Sequence, residues 1–264
     1  MMNKKILFFD IDGTILHVPG GQPNPSAELK EAIKTLRANG HLCFIATGRT
    51  FAYLNTNVLD LGFDGFVTCN GAVVLKDDEI LFSNFFTKEL SQEIIDMMDR
   101  HHNSYTILGS KKVYAKKEFE DIYKTFKLFN VPMQNVVSEY SVSNLDIAKF
   151  EITAHTKEVA DYIRSLKDRG CEIIEFYGSD YFEFTMPNAT KGKAIQQLLE
   201  VLDIPVEDSI AFGDGDNDIE MFEVVGYAVA MGNGSEKAKA ASDKVTETCK
   251  ENGIVNELKR MGLI

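Results

Sequence analysis

The chain has 264 residues, which is more than one typical domain, and its 44% hydrophobic content is enough for two packed cores. A formal net charge of −12 argues against nucleic acid and against an anionic membrane as partners, because both select basic surfaces. No apolar window is long enough to span a bilayer, and the first apolar stretch reaches Asp10 too soon for a signal peptide. We therefore predict a cytoplasmic protein of two domains.

The chain begins with a strand, a loop, a helix and a second strand. The first strand is an apolar run typical of burial on both faces, and it ends at Asp10 and Asp12 (ILFFDIDGTI). A loop rich in Pro and Gly leads into a helix with one apolar face, which ends before Gly40. The second strand (HLCFIATGR) ends at Thr47 and Gly48. This order predicts the start of a βαβ unit.

The elements predicted after the second strand do not simply repeat the βαβ unit. We expect one helix between Arg49 and Gly62, and then a strand that ends at Asn70 and Gly71. Asn-Gly suits a hairpin turn between short strands. From about residue 84, helices and short strands alternate again, which suggests a small sheet with helices on one side.

The first pattern resumes near Lys191, with a helix, a strand and an acidic loop. A Gly-Asn-Gly loop at 232–234 could approach a ligand, but a flexible turn is the favoured interpretation. We predict an α/β fold: a Rossmann-like, doubly wound parallel sheet forms the core over residues 1–83 and 186–264. Residues 84–185 are predicted to form an inserted α/β cap domain that sets substrate specificity.

The second acidic run (IAFGDGDND) also follows a buried strand and contains Asp214 and Asp218. In an open parallel sheet the carboxyl ends of the strands border the ligand crevice, so these acids could meet Asp10 and Asp12 there. Four carboxylates packed together would repel one another, and a divalent cation would relieve that repulsion. Ligation by oxygen alone favours a hard ion such as Mg²⁺.

Each acidic pair taken alone has a plainer interpretation. An Asp after a strand often caps a helix, and Asp-Gly is common in turns. The alternate acids from Asp214 also resemble a calcium loop, but Ile219 stands where that loop needs Gly and Val225 where it needs Glu. The two pairs together favour a metal site.

Two further segments offer groups for a phosphate. The Thr47 hydroxyl and the backbone N–H groups of the turn at Gly48 suit a phosphate oxygen. Lys191 opens a helix with one apolar face. A lysine in that place is usually a solvated surface residue, so its assignment depends on the other motifs.

In this order, the four segments resemble the motifs of the haloacid dehalogenase superfamily of phosphohydrolases. The first motif of that family, DxDGT, is matched by residues 10–14, and the second, a Thr or Ser after an apolar strand, by Thr47. Lys191 in KGKA is similar to the third motif, and residues 213–218 match the GDGxND form of the fourth. About 140 residues separate the second motif from the third, the interval in which Cof-type members insert an α/β cap.

The resemblance implies a Mg²⁺-dependent phosphatase that works through an aspartyl-phosphate. It makes Asp10 the nucleophile and Asp12 the general acid and base, a role that crowding by neighbouring carboxylates would assist. It implies that Asp10, the Asp12 carbonyl, Asp214 and Asp218 hold or support the metal. The substrate would be a small phosphorylated metabolite, such as a sugar phosphate or a phosphorylated cofactor. The groups expected to hold the phosphoryl oxygens are Thr47, Gly48, Lys191 and Asn217.

Two other functions stay open at this point. A phosphomutase would use the same intermediate and pass the phosphoryl group to a second sugar hydroxyl instead of water. A phospho-acceptor signalling module also carries Asp, Mg²⁺, Thr and Lys on a doubly wound sheet, but the large insertion and Asp12 argue against it. Cap residues that could contact a substrate are Tyr177, Ser179 and Asp180, although a surface turn explains them equally well.

Overall fold

The computed structural model describes residues 4–176 and 178–264, so Tyr177 lies outside the described residues. The chain divides into two compact units. Unit 1 consists of Met1–Gly48, Thr56–Phe82 and Thr190–Ile264, and unit 2 consists of Arg49–Asn55 and Ser83–Ala189. Within the described ranges, no helix has the length and hydropathy of a membrane span.

The regular elements alternate along most of the chain. The strands are β1 (Ile6–Phe9), β2 (Leu42–Ala46), β3 (Gly65–Thr68), β4 (Val73–Lys76), β5 (Glu79–Ser83), β6 (Thr106–Gly109), β7 (Val113–Tyr114), β8 (Val136–Val137), β9 (Ile147–Thr153), β10 (Glu172–Glu175), β11 (Tyr181–Thr185), β12 (Ser209–Gly213), β13 (Tyr227–Ala230) and β14 (Lys244–Val245). The α-helices are α1 (Ala27–Ala38), α2 (Thr56–Leu59), α3 (Lys88–Arg100), α4 (Glu120–Leu128), α5 (Lys157–Ser165), α6 (Lys191–Val201), α7 (Ile219–Phe222), α8 (Glu236–Ala241) and α9 (Gly253–Arg260).

Unit 1 is built on an eight-stranded sheet with the order β14-β13-β12-β1-β2-β3-β4-β5. The strands from β14 to β3 pair in parallel, and β4 runs antiparallel to β3. The parallel part has the strand order of a doubly wound sheet, in which the winding direction changes between β1 and β12. The predicted α/β fold with a doubly wound core is confirmed. Sheets of this kind bind ligands at the carboxyl ends of the two strands beside that change.

The centre of this sheet is covered on both faces. Every residue of β1, Ile6–Phe9, is 0% exposed. On one face, Ile6 and Phe8 pack in a cluster with Ala194 of α6 and Met221 of α7. Burial of side chains this large contributes about 1.5–3 kcal/mol each. Because β1 is covered on both faces, a ligand can approach this strand only at its ends.

The segment between β2 and β3 differs from its prediction. Instead of one helix, it forms a 3₁₀ turn at Phe51–Tyr53 and the short helix α2. Residues 49–55 belong to unit 2, although the predicted core range of 1–83 includes them. The reason is tertiary: the Thr50 hydroxyl donates to the Gly109 carbonyl at 2.9 Å, and the Tyr53 hydroxyl donates to Glu151 at 3.0 Å.

Unit 2 contains a six-stranded sheet with the order β10-β11-β9-β6-β7-β8. Its pairs are antiparallel except for β7 with β8. Phe150 and Phe184 stack on adjacent strands with ring centroids 5.3 Å apart, and they share a buried cluster with Ile94 of α3 and Ile163 of α5. The period of two in β9 places alternate residues on the opposite face of the sheet.

That opposite face carries a buried group of charges. Lys149 is 2% exposed, and its Nζ lies 2.7 Å from Glu183 Oε2 and 3.0 Å from Glu151 Oε1. One ammonium group thus holds two carboxylates from neighbouring strands. A buried charge costs several kcal/mol unless it is paired, so the three side chains depend on one another.

We expect Lys149→Met to lower the free energy of unfolding by about 2–4 kcal/mol, because it leaves two carboxylates facing each other without a cation. Urea denaturation followed by circular dichroism measures the effect. The matched control is Lys117→Met, since Lys117 pairs with Glu139 on the surface at 2.8 Å. An exposed ion pair of that kind contributes little to stability, so the control should unfold at nearly the wild-type urea concentration. Equal losses in both variants would contradict the importance of burial here.

Candidate active site

The two acidic segments leave the same edge of the sheet of unit 1. β1 and β12 are parallel neighbours, and their register pairs Phe9 with Phe212. The backbone N–H of Asp10 donates to the Phe212 carbonyl at 2.9 Å, which continues the ladder by one residue. Asp10 and Asp214 therefore emerge side by side at the point where doubly wound sheets bind ligands.

Lys191 joins both acidic segments. Its Nζ lies 2.6 Å from Asp10 Oδ1 and 2.6 Å from Asp218 Oδ1. The Lys191 side chain is 0% exposed, while those of Asp10 and Asp218 are 7% and 1% exposed. Lys191 is therefore buried between two acids and does not occupy the surface position that is usual for a lysine.

The start of helix α6 places Lys191. The Thr190 hydroxyl caps the helix by accepting a hydrogen bond from the Lys193 N–H at 3.3 Å. Along the helix, Ala194, Ile195 and Leu198 are buried against the sheet. The cap fixes where the helix begins, and the apolar face fixes its rotation, so the first side chain of the helix points into the acidic cluster.

Asp218 organises the loop after β12. Its Oδ2 accepts hydrogen bonds from the backbone N–H groups of Asp214 and Gly215, both at 2.9 Å. Its Oδ1 accepts from Lys191. The carboxylate thus uses one oxygen to shape the loop and the other to hold the ammonium group.

The first motif packs directly on Asp214. The Thr14 hydroxyl donates to Asp214 Oδ1 at 2.9 Å. Gly13 has a φ of +98°, and a Cβ on it would lie 2.0 Å from Asp214 Oδ2. Both the left-handed backbone and the close carboxylate require glycine here. The Gly and Thr that follow Asp12 therefore hold the acid of the distant motif.

The cluster has more negative than positive charge. Burial raises the pKa of Asp10, against the lowering effect of Lys191, and the nearby Asp218 adds to the rise. Burial also raises the pKa of Asp214 to about 6, although the Thr14 hydrogen bond opposes it. Burial alone would lower the pKa of Lys191, but Asp10 and Asp218 outweigh it and raise that pKa.

This donor set fits a divalent cation. Asp10, Asp214 and Asp218 each offer one carboxylate oxygen, and these oxygens lie within 4.8 Å of one another. Three carboxylates against one ammonium group leave a negative excess that a cation of charge two would neutralise. Oxygen ligands are those that hard ions such as Mg²⁺ prefer.

The other predicted site residues lie around this cluster. Asp12 is exposed, and its charge contributes to the raised pKa of Asp214. Thr47 is buried at the end of β2, the neighbour of β1, with Gly48 directly after it. Asn217 is exposed in the 3₁₀ turn Asp216–Asp218. The structure therefore joins Asp10 and Asp218 to Lys191 by direct contacts, and it places Thr47 at the same edge of the sheet.

The loop at 232–235, for which the sequence favours a flexible turn over a ligand contact, packs against both acidic segments. Asn233 Nδ2 donates to the Gly13 carbonyl at 2.7 Å, and Asn233 Oδ1 accepts from the Cys249 N–H at 2.9 Å. The Ser235 N–H donates to the Asp214 carbonyl at 2.8 Å. The predicted turn is present, and its contacts tie it to both acidic segments. Its place after β13, next to β12, was the available signal.

The family of the chain follows from comparison with known proteins. The profile of haloacid dehalogenase-like hydrolases matches residues 7–258. The chain belongs to this family of enzymes, and the resemblance to its Cof-type members is confirmed. Over 266 residues it is 27% identical to the 5-amino-6-(5-phospho-D-ribitylamino)uracil phosphatase YitU of Bacillus subtilis, with 96% of each chain covered.

Solved structures show the same fold. The HAD subclass IIB sugar phosphatase BT4131 superposes with a TM-score of 0.79 at 28% identity, covering 99% of this chain and 100% of that one. TM0651 from Thermotoga maritima gives a TM-score of 0.84 at 25% identity, covering 98% of this chain and 97% of that one. Because the structural similarity extends over nearly the whole chain, it includes the helices and strands between residues 84 and 185.

Proposed function

We propose that the chain is a Mg²⁺-dependent phosphatase that hydrolyses a small phosphorylated metabolite through an aspartyl-phosphate on Asp10. The observation that carries the proposal is the buried contact of Lys191 with Asp10 and Asp218, at the carboxyl ends of β1 and β12. A carboxylate, an ammonium group and a metal-binding acid within one small volume are the parts that phosphoryl transfer needs.

In the first half of the reaction, a carboxylate oxygen of Asp10 attacks phosphorus in line with the leaving oxygen. The bond from phosphorus to that oxygen breaks, and Asp12 donates a proton to the departing alkoxide. In the second half, Asp12 takes a proton from water, and the water oxygen attacks phosphorus. Inorganic phosphate leaves, and the Asp10 carboxylate is restored. The exposure of Asp12 beside Asp214 supports this role, because a general acid must reach both the substrate and water.

Asp10, Asp214 and Asp218, with the Asp12 carbonyl, would hold or support the metal. When bound, Mg²⁺ supplies positive charge next to the phosphoryl oxygens. Three ionised carboxylates give a charge of about minus three, and Lys191 with the cation offsets it. A phosphate dianion can then enter the site without net repulsion.

Lys191, Thr47, Gly48 and Asn217 would hold the phosphoryl oxygens. Lys191 supplies a buried charge, and Thr47 is held in place because its N–H donates to Val67 at 2.8 Å and its carbonyl accepts from Asn70 at 3.1 Å. A fixed donor stabilises a developing charge without the cost of reorganisation.

The substrate we infer is a sugar phosphate or a phosphorylated cofactor. YitU is named for a ribityl phosphate, and BT4131 is named a sugar phosphatase, so both names describe phosphate esters of hydroxylated compounds. The charge of −12 does not favour nucleic acid or an anionic membrane as a partner.

A panel of phosphate esters tests the proposal. We expect the purified chain to release inorganic phosphate from at least one sugar or cofactor phosphate in the presence of Mg²⁺. Release should stop with a chelator and return when Mg²⁺ is added in excess, because the carboxylates otherwise repel the dianion. Phosphate transfer to a second sugar hydroxyl would support a mutase instead. A stable phosphoprotein without turnover would support a signalling module.

A further inference from the structure

The side chain of Asn70 stands out among the residues beside the site. Asn70 lies in the 3₁₀ turn Cys69–Gly71 that joins β3 to β4. Its Oδ1 is buried and has no hydrogen-bond partner among the described residues. Most buried polar atoms in proteins are paired, so an unpaired one calls for an explanation by function.

Asn70 lies between the two segments expected to hold the phosphoryl group. Its Oδ1 is 2.9 Å from the place that a Cβ on Gly48 would occupy, and its N–H donates to the Thr47 carbonyl. On the other side, a Cβ on Gly71 would lie 2.3 Å from the Thr190 carbonyl, at the start of α6. The turn therefore touches the Thr47–Gly48 segment and the residue before Lys191.

The backbone of this turn lies in an uncommon conformation. Cys69 and Asn70 both have positive φ, at 51° and 54°. Asn tolerates the left-handed region, but two consecutive non-glycine residues there are uncommon. Such conformations persist where the surroundings determine them, and they are frequent at ligand sites.

We propose that the side-chain amide of Asn70 binds the phosphoryl group of the substrate, next to Thr47 and Gly48; the inference rests on the proposed phosphatase function. A half turn about χ2 exchanges Oδ1 with Nδ2. The NH₂ group then donates to a phosphoryl oxygen, and the buried end of the side chain gains its partner when the substrate binds. Gly48 is needed because the amide occupies the space that a Cβ would take.

Two variants separate donation from packing. Asn70→Gly removes the amide and relaxes the left-handed backbone, while Asn70→Asp keeps the shape and tolerates that backbone but adds a negative charge. We expect the dissociation constant for inorganic phosphate, measured by calorimetry with saturating Mg²⁺, to rise about 10-fold in Asn70→Gly. In Asn70→Asp it should rise about 100-fold or more, because the new charge repels the phosphate. The thermal midpoint should change little in Asn70→Gly and should fall in Asn70→Asp, whose new carboxylate is buried without a partner, so binding is measured well below both midpoints.

The matched control is Asn130, which also has a positive φ of 53° but is exposed in unit 2. Asn130→Gly and Asn130→Asp should bind phosphate like the wild type. Wild-type affinity in folded Asn70→Asp would overturn the inference, as would a loss in Asn70→Gly that exceeds the loss in Asn70→Asp. If Asn70→Gly does not fold, Asn70→Asp decides alone. A wild-type chain that releases no phosphate from any ester contradicts the proposed function instead, which keeps the two failures apart.

Discussion

Asp10→Asn is expected to reduce phosphate release by at least about 10⁴-fold while the protein stays folded. The amide keeps the shape of the carboxylate but cannot attack phosphorus, so the covalent route is lost. Steady-state release from the best ester of the panel measures the loss, and acid quenching of a reaction with labelled ester shows whether label remains on the protein. Wild-type chain should carry label, and the variant should carry none.

The stability of the same variant gives an independent readout. Burial raises the pKa of Asp10, so the folded metal-free protein holds a proton that the unfolded chain releases at a lower pH. The contribution of Asp10 to stability is therefore largest near or below pH 4 and is lost as the pH rises towards its folded pKa. An asparagine side chain does not titrate in this range, so Asp10→Asn removes this loss of stability at high pH. With a chelator present, the variant should resist urea better relative to the wild type at pH 8 than at pH 5.

Asp216→Asn is the control for this experiment. Asp216 belongs to the same acidic loop, but it is exposed and accepts hydrogen bonds from Ser235 at 2.7 Å and Lys237 at 2.9 Å. Its replacement should change the turnover by about twofold or less, since a surface ion pair contributes little. Turnover by Asp10→Asn close to that of Asp216→Asn would show that Asp10 is not the nucleophile.

The positions of the acids could be predicted because burial and chemistry lie next to each other in the sequence. An apolar run buried on both faces identifies β1 and β12, and the residues directly after them are Asp10 and Asp214. Parallel pairing then puts both acids at one edge of the sheet.

The contacts that hold these acids could not be predicted in the same way. Thr14, Asn70 and Asn233 lie in recognisable local patterns, but each contacts a backbone or carboxylate of another segment, and no local pattern specifies those contacts. Residues 49–55 show the same limit, because apolar spacing allows a helix, whereas Thr50 and Tyr53 bond to Gly109 and Glu151, which are distant in the sequence. A tertiary contact overrode the local propensity there.

Lys191 shows most clearly that contacts between distant segments decide where a residue lies. Its sequence position indicates an exposed helix residue, and its burial becomes favourable only because Asp10 and Asp218 share its ammonium group. Removing that group should therefore affect both stability and function. The second large effect that we expect concerns this residue.

Lys191→Met should lower the affinity for inorganic phosphate by at least about 100-fold, because it removes the buried positive charge at the site. At pH 8, with a chelator present, it should also lower the free energy of unfolding by about 3 kcal/mol, since Asp10 and Asp218 lose their partner. Calorimetry with phosphate and urea denaturation measure these two effects.

The pH dependence separates the loss of charge from the loss of packing. Without Lys191, the pKa of Asp10 should rise further, because the cation that lowers it is gone. The deficit in stability should then shrink as the pH falls and Asp10 takes up a proton. A packing defect would give the same deficit at pH 5 and pH 8. Lys193→Met is the matched control, since Lys193 is exposed on the first turn of the same helix, and it should change stability by about 0.5 kcal/mol or less.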